Sequence, residues 1–329
     1  MIERTVIIDG VDPQTFYGPN SSNMSLVRNL FPKLRMAARG NVIKVIGEDS
    51  ETAEFERKIK ELEAYAAEYN KLPEDVIIDI IKGEPPKQRN SEGVILFGQN
   101  GRPIAPRNAN QARMVRSFSD NDLTFALGPA GTGKTYIAIA LAVAALKNKA
   151  CRRLILSRPA VEAGEKLGFL PGDMKDKIDP YLRPLYDALE DMIPAVKLKE
   201  YMDSDTIQIA PLAFMRGRTL NDAVIILDEA QNTTRHQMKM FLTRLGMNAK
   251  MIVTGDVTQI DLPRTTQSGL MQALRILRGV KGIGLIEYGK KDIVRHPLVQ
   301  RIVDAYEHRE KEADAEFEAS LASQQTTDN

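Results

Sequence analysis

Tryptophan is absent from this chain, aromatic residues make up 6% of it, and cysteine occurs once, at Cys151. A lone cysteine cannot close an intramolecular disulfide, and no Cys/His spacing suggests a zinc site. So few aromatics leave no obvious platform on which bases could stack. No uninterrupted apolar run reaches the roughly 20 residues that a membrane helix needs. Met1-Ile2-Glu3-Arg4 has neither the basic start nor the apolar core of a signal peptide. These absences lead us to expect a cytoplasmic protein with no membrane contact. Excess charge of one sign is lacking too: 45 basic residues stand against 44 acidic ones, a net charge of +1. That excludes a pervasive basic coat, so any nucleic acid must be met by a local patch.

The 329 residues, 43% hydrophobic and 27% charged, have the composition of a globular protein and room for one large and one small domain. No internal repeat is visible. The first 85 residues read as a small α+β unit. Thr5 to Asp9 and Asn41 to Ile46 are rich in β-formers, and Lys33 to Ala37 alternates. Met24 to Phe31 carries Leu26, Val27 and Leu30 at helical spacing, and Phe55, Ile59, Leu62 and Ala66 predict a longer helix from Glu51. The expected order is strand, helix, two strands, helix. Ile81 to Ser91 is polar, with paired prolines, and reads as a linker. Val94–Phe97 and Arg102–Ile104 then predict a hairpin around Asn100-Gly101, and Asn108 to Phe118 a helix.

From Leu123 the pattern becomes strands alternating with helices. Apolar runs occur at Leu123–Leu127, Arg153–Leu156, Thr206–Ala210, Val224–Leu227, Met251–Thr254 and Gly284–Ile286. Parallel strands need crossovers, so this alternation predicts an α/β domain with a mostly parallel sheet and helices on both faces. The tail from Glu307 is acidic and then polar, and is expected to extend into solvent. The chain divides into a unit over 1–85, a linker and hairpin over 86–106, a large domain over 107–308 and a tail over 309–329.

Gly128-Pro129-Ala130-Gly131-Thr132-Gly133-Lys134-Thr135 matches G-x-x-x-x-G-K-[ST] at every fixed position. Glycines let backbone N–H groups converge on phosphate oxygens without a Cβ in the way. Lys134 would place its charge on the β and γ phosphates, and Thr135 would offer a hydroxyl to Mg²⁺. A chance match somewhere in a chain of this length has a probability of roughly 1%. The motif also follows an apolar strand and opens an apolar helix starting with Tyr136, the context the mechanism requires.

Ala223 to Glu229 is a buried strand ending in two carboxylates. Asp228 at its tip could hold Mg²⁺, usually through water, and Glu229 could polarise an attacking water. Met251-Ile-Val-Thr254-Gly255-Asp256-Val-Thr-Gln259 is a further strand running into a polar turn. Strand ends crowd one crevice in a doubly wound sheet, so Gln259 could meet the γ-phosphate; alternatively it stabilises its own turn.

The stretches GPAGTGKT, ILDEAQN and VTGDVTQIDLP together resemble the first motor domain of superfamily 1 helicases, and still more closely the PhoH-like ATPases. Ser157-Arg158-Pro159-Ala160, the stretch from Gly168 to Asp173, Arg216 to Thr219 and Arg295-His296-Pro297 strengthen the narrower match. The resemblance runs from about Glu92 to Arg309. It implies a RecA-like P-loop ATPase that takes ATP and Mg²⁺ and couples hydrolysis to RNA binding or remodelling, in ribosomal RNA maturation beside an endoribonuclease. By the same resemblance Gln111, upstream of the loop, would contact adenine; otherwise it is a surface polar residue on a helix.

Superfamily 1 helicases carry a second motor domain that supplies arginines, and too few residues follow Gln259 for one here. The missing arginine is then expected from a neighbouring subunit, in a head-to-tail ring such as a hexamer. Arg295 is our candidate, with an intrasubunit salt bridge as its alternative; Arg264, Arg275, Arg278 and Arg301 are rivals. Arg35 to Ile46 before a long helix resembles a KH-like RNA-binding fold, although no Gly-x-x-Gly loop is present. An oligomerisation or docking unit is the alternative. Arg158, Lys166, Lys175, Lys177, Arg183, Arg216 and Arg218 could line a strand track, or each could be a solvated charge. A nucleotide-switched scaffold and, more distantly, a small-molecule kinase are the other functions this sequence admits.

Overall fold

A computed structural model describes residues 1–85, 93–159, 174–263, 265–294, 298–299, 301–302 and 305, with backbone alone for 174–180. In the N-terminal part, β1 (Ile2–Ile7) is followed by α1 (Pro13–Tyr17), α2 (Ser22–Leu30), β2 (Arg35–Arg39), β3 (Val42–Gly47), α3 (Asp49–Tyr69) and α4 (Glu74–Lys82). The three strands form an antiparallel sheet in the order β1-β3-β2. Its inner face and the helices enclose one core, with Val6, Ile43, Val45, Phe55, Ile59 and Leu62 among its buried residues. The α+β expectation therefore holds, with α1 and α4 added to the expected order. Residues 81 and 82, expected in the linker, complete α4, because Val76, Ile77 and Ile80 bury one helical stripe. The helix ends at Gly83, where φ of 80° suits a residue without Cβ. A KH fold is not shown by this arrangement.

The predicted hairpin forms as β4 (Leu96–Phe97) and β5 (Pro103–Ile104), joined by a turn in which Asn100 and Gly101 both have positive φ. It meets α3 through the tilted rings of Tyr69 and Phe97, 4.6 Å apart, and through Asn70, whose amide donates to the carbonyls of Phe97 and Met192. After α5 (Ala109–Asp120), capped by the Asn108 side chain, the large domain follows. Its elements are β6 (Leu123–Leu127), α6 (Lys134–Lys147), β7 (Arg153–Arg158), α7 (Met174–Met192), α8 (Ala195–Asp203), β8 (Ile207–Pro211), β9 (Ala223–Leu227), α9 (Arg235–Leu242), β10 (Lys250–Gly255), α10 (Gly269–Leu277) and β11 (Ile283–Glu287).

The six strands run parallel in the order β11-β6-β10-β9-β7-β8. Successive residues serve opposite faces, as strand geometry requires. Leu154, Leu156, Val224, Ile226 and Ile252 pack towards α6 and α7. Phe125, Ile155, Ile225, Met251 and Val253 pack towards α9 and α10. The sheet is thus buried on both sides, and the RecA-like P-loop architecture holds. All six C-terminal strand ends lie along one edge, and β10 stands between β6 and β9.

Candidate active site

At that edge β6 passes into the loop 128–133, and Gly133, with φ of 77°, caps α6. Gly128 has φ of 144°, and a Cβ there would lie 2.5 Å from the Tyr288 carbonyl oxygen. Neighbouring elements hold the loop. The Gly128 N–H donates to the Gly255 carbonyl at 3.1 Å, and the Val294 N–H donates to that of Gly131 at 2.9 Å. The Ala130 N–H donates to Asp256 Oδ2 at 3.2 Å. Lys134 is buried, and its Nζ donates to the carbonyls of Gly128 and Pro129 at 2.7 and 2.9 Å.

Because β10 separates β6 from β9, the loop, the Thr254–Asp256 corner and the Asp228-Glu229 strand end are adjacent. Asp228 is buried, and its Oδ1 accepts from the hydroxyls of Thr135 and Thr254, each at 2.6 Å. Glu229 turns the chain with φ of 52°, a left-handed conformation that costs a non-glycine residue about 1 kcal/mol or more. Its carboxylate sits between Arg158 Nη2 at 3.3 Å and Gln231 Nε2 at 2.6 Å. Gln231, fully buried, also donates to the Gln259 carbonyl and accepts from the Asp256 N–H. The Gln259 amide donates to Asp256 Oδ2 at 2.9 Å. Lys134, Thr135, Asp228, Glu229 and Gln259, spread over three strand ends, therefore share one crevice.

Gln111 is not a surface residue: it is 3% exposed. Its Oε1 accepts from the Arg107 N–H at 2.7 Å, and its Nε2 donates to the Thr132 carbonyl at 2.9 Å. With Tyr136, Arg107, Gly131, Gly133 and Val294 it lines a cavity of about 420 Å³ beside the loop. Burial, then the Asp191 carboxylate, raises the Tyr136 hydroxyl above its ordinary pKa.

The sequence reading missed Thr254 and Gln231, and took Arg158 for a track residue. Thr254 and Gln231 stand inside stretches already singled out, but their partners are side chains from other strands. Arg295 and Arg264, along with Lys166, the stretch from Gly168 to Asp173 and the tail from 309, lie outside the described residues. Arg275 and Arg278 are exposed. Among the described residues no group of three or more His, Cys, Asp or Glu side chains could hold a metal ion by itself. The Thr135 hydroxyl and the Asp228 carboxylate are hard oxygen donors meeting at the loop mouth. Such a pair suits Mg²⁺ held jointly with nucleotide phosphates better than a metal in a protein cage.

Against this geometry, the family model described as PhoH-like protein matches residues 103–307. A PhoH-like protein of Bacillus subtilis (strain 168) is 50% identical over 279 residues, which cover 83% of this chain and 88% of that protein. The chain belongs to the PhoH-like family. A PhoH-like protein of Mycobacterium tuberculosis (strain ATCC 25618 / H37Rv) is also 50% identical, over 277 residues covering 83% of this chain and 79% of that one. Protein PhoH of Escherichia coli (strain K12) is 44% identical over 236 residues, 67% of either chain. Among solved structures, the Pif1 helicase from Candida albicans is 14% identical, with a TM-score of 0.33 over 61% of the PhoH-like chain and 43% of the helicase. No helix among the described residues of the PhoH-like chain is long and apolar enough to cross a membrane.

Proposed function

We propose that this chain binds ATP with Mg²⁺ at the strand-end crevice, hydrolyses it, and couples hydrolysis to the binding of RNA. One observation carries the ATPase reading: Glu229, a potential base, stands beside the Thr135–Asp228 pair at the mouth of a phosphate loop. The loop's glycines and the start of α6 bind phosphate through backbone N–H groups and the helix dipole. Lys134 contributes a point charge to the terminal phosphates. Thr135 and Asp228 would hold Mg²⁺, which when bound neutralises phosphate charge. Glu229 orients and deprotonates the attacking water, and Gln259, on the Asp256 turn, faces the same phosphate. Gln111 and Tyr136 line the cavity in which we place the adenine.

The RNA part rests on the resemblance and on one surface. The outer face of the N-terminal sheet exposes Arg35, Arg39 and Lys44 on neighbouring strands. We take residues 1–85 as the RNA-contacting unit and 107–308 as the motor. The extension to ribosomal RNA maturation beside an endoribonuclease rests on the sequence resemblance alone, the cytoplasmic location on composition, and the ring of subunits on the expectation of an arginine supplied in trans. The test is ATP turnover measured with and without single-stranded RNA. Wild-type protein should hydrolyse ATP and do so faster on RNA, while Glu229→Gln should bind ATP but turn it over about 10² more slowly or worse. Replacing Arg35, Arg39 and Lys44 together by alanine should weaken RNA binding and flatten its salt dependence, by a slope of about 1 per lost phosphate contact. Turnover indifferent to RNA would leave a nucleotide-switched scaffold as the better reading.

A further inference from the structure

Whatever a neighbouring subunit supplies, an arginine of this chain already stands in the crevice. Arg158 ends β7, the strand beside β9, and its side chain is 21% exposed. Its three nitrogens meet three different groups. Nη2 lies 3.3 Å from Glu229 Oε1, and Nε lies 4.0 Å from Asp228 Oδ2. Nη1 donates to the Tyr181 carbonyl in α7 at 3.1 Å. A guanidinium presents its N–H groups in a rigid planar fork, so fixing one contact fixes the direction of the others. A lysine has three donors as well, but on a single nitrogen at the end of a flexible stem, so it fixes no such direction.

Glu229 needs such a guide. Its backbone is left-handed, and its carboxylate is 35% exposed at the end of a strand, where water competes for it. On the other side it is held by Gln231, itself locked between Asp256 and Gln259. Arg158 and Gln231 together grip both carboxylate oxygens, Oε1 from β7 and Oε2 from the chain beyond β9. Side chains that clamp a base from two elements set its direction, and misplacement of a catalytic group by about 1 Å can cost about 10² in rate.

We propose that Arg158 is the positioning residue for Glu229, holding the base in line from the same subunit and tying its placement to α7. The proposal rests on the ATPase reading above and deepens it. It predicts that a shift of the α7 backbone at Tyr181 changes turnover, since Arg158 hydrogen-bonds that carbonyl.

The test is a double-mutant cycle read by single-turnover ATP hydrolysis, with nucleotide binding measured alongside. Arg158→Ala should lower the hydrolysis rate by about 10–100-fold and leave ATP affinity within about threefold. Arg158→Lys should recover part of the loss. In a Glu229→Gln background, Arg158→Ala should cost less than about threefold more, because the group it positions is already gone. Fully multiplicative losses would overturn the proposal, since Arg158 would then act independently of Glu229. Faster hydrolysis by Arg158→Ala would overturn it too, showing a restraint rather than a guide. Should Arg158→Ala fail to bind nucleotide or to fold, Arg158→Gln decides, since it keeps a donor for Tyr181: a folded Gln variant at full rate overturns the proposal. A Glu229→Gln protein as active as wild type would instead remove the base assignment, and is read on its own.

Discussion

Gln111→Ala separates two jobs that one side chain can do. In the structure the Gln111 amide braces the phosphate loop, accepting from the Arg107 N–H and donating to the Thr132 carbonyl. Each end uses half of its capacity: a primary amide has two N–H donors and two acceptor lone pairs. One donor and one acceptor are left over on a residue that lines the 420 Å³ cavity, the pair that an adenine edge requires. Truncation to alanine strands the two backbone groups, at about 1–3 kcal/mol each when dry and less where water from the cavity replaces the amide. With half of that expressed as loss of loop order, ATP and GTP should both bind about tenfold more weakly, since 1.4 kcal/mol is one decade. Loss of a bidentate amide–adenine contact is worth about 1–3 kcal/mol of base discrimination, so the preference for ATP over GTP should fall by about 10–100-fold as well. Equilibrium binding of both nucleotides to wild type and variant reads both effects. Equal weakening of ATP and GTP would refute the adenine contact and leave the brace. Unchanged affinity for both would refute the reasoning altogether.

Other expectations follow from single groups. Lys134→Ala should abolish turnover in a steady-state phosphate-release assay, because the charge that the loop itself brings to the terminal phosphates is lost. At Gly128, alanine would push a Cβ to 2.5 Å from the Tyr288 oxygen at φ of 144°; the variant should melt lower and lose nucleotide binding, and wild-type values for both would contradict the packing. Burial pulls the Lys147 amine down to about 8 from its ordinary 10.5. The folded state therefore disfavours its charge: the penalty is complete below pH 8 and disappears as pH rises towards 10.5. Lys147→Met should accordingly stabilise the protein by about 1–3 kcal/mol at pH 7, with the gap to wild type closing at alkaline pH in chemical denaturation. Finally, Arg295→Ala and Lys134→Ala proteins, each inactive, should regain part of the activity when mixed; a mixture that assembles and stays dead would remove Arg295 as an arginine acting across an interface.

The large domain was legible almost strand by strand. Apolar runs of three to five residues bounded by turns appear in the structure as β6 to β11, each within two residues of its expected ends. Fully buried parallel strands need continuous apolar runs, which is why pattern alone located them. Boundaries failed where long-range packing extended an element. Residues 81 and 82 looked like linker because polar sequence follows, yet Ile80 is buried against α3 and draws the last turn of α4 with it. Gln111 was weighed as a surface residue because nothing in its helix shows that the loop 21 positions later returns to cover it.

What the sequence determined by itself is local: a strand, a glycine loop and a helix placed end to end make a phosphate cradle wherever they occur, and the carboxylates of Asp228-Glu229 mark a strand tip. The physics there spans a few residues, so a few residues suffice to read it. Only the tertiary structure decided which strand ends meet. The position of β10 between β6 and β9 brings Thr135 within 2.6 Å of Asp228 across 93 residues of chain. It also sets Thr254 on the same carboxylate oxygen, while β7 on the far side of β9 delivers Arg158 to Glu229. Strand order is set by how both faces of the sheet are buried at once, a sum over contacts far apart in sequence, and no short motif encodes it.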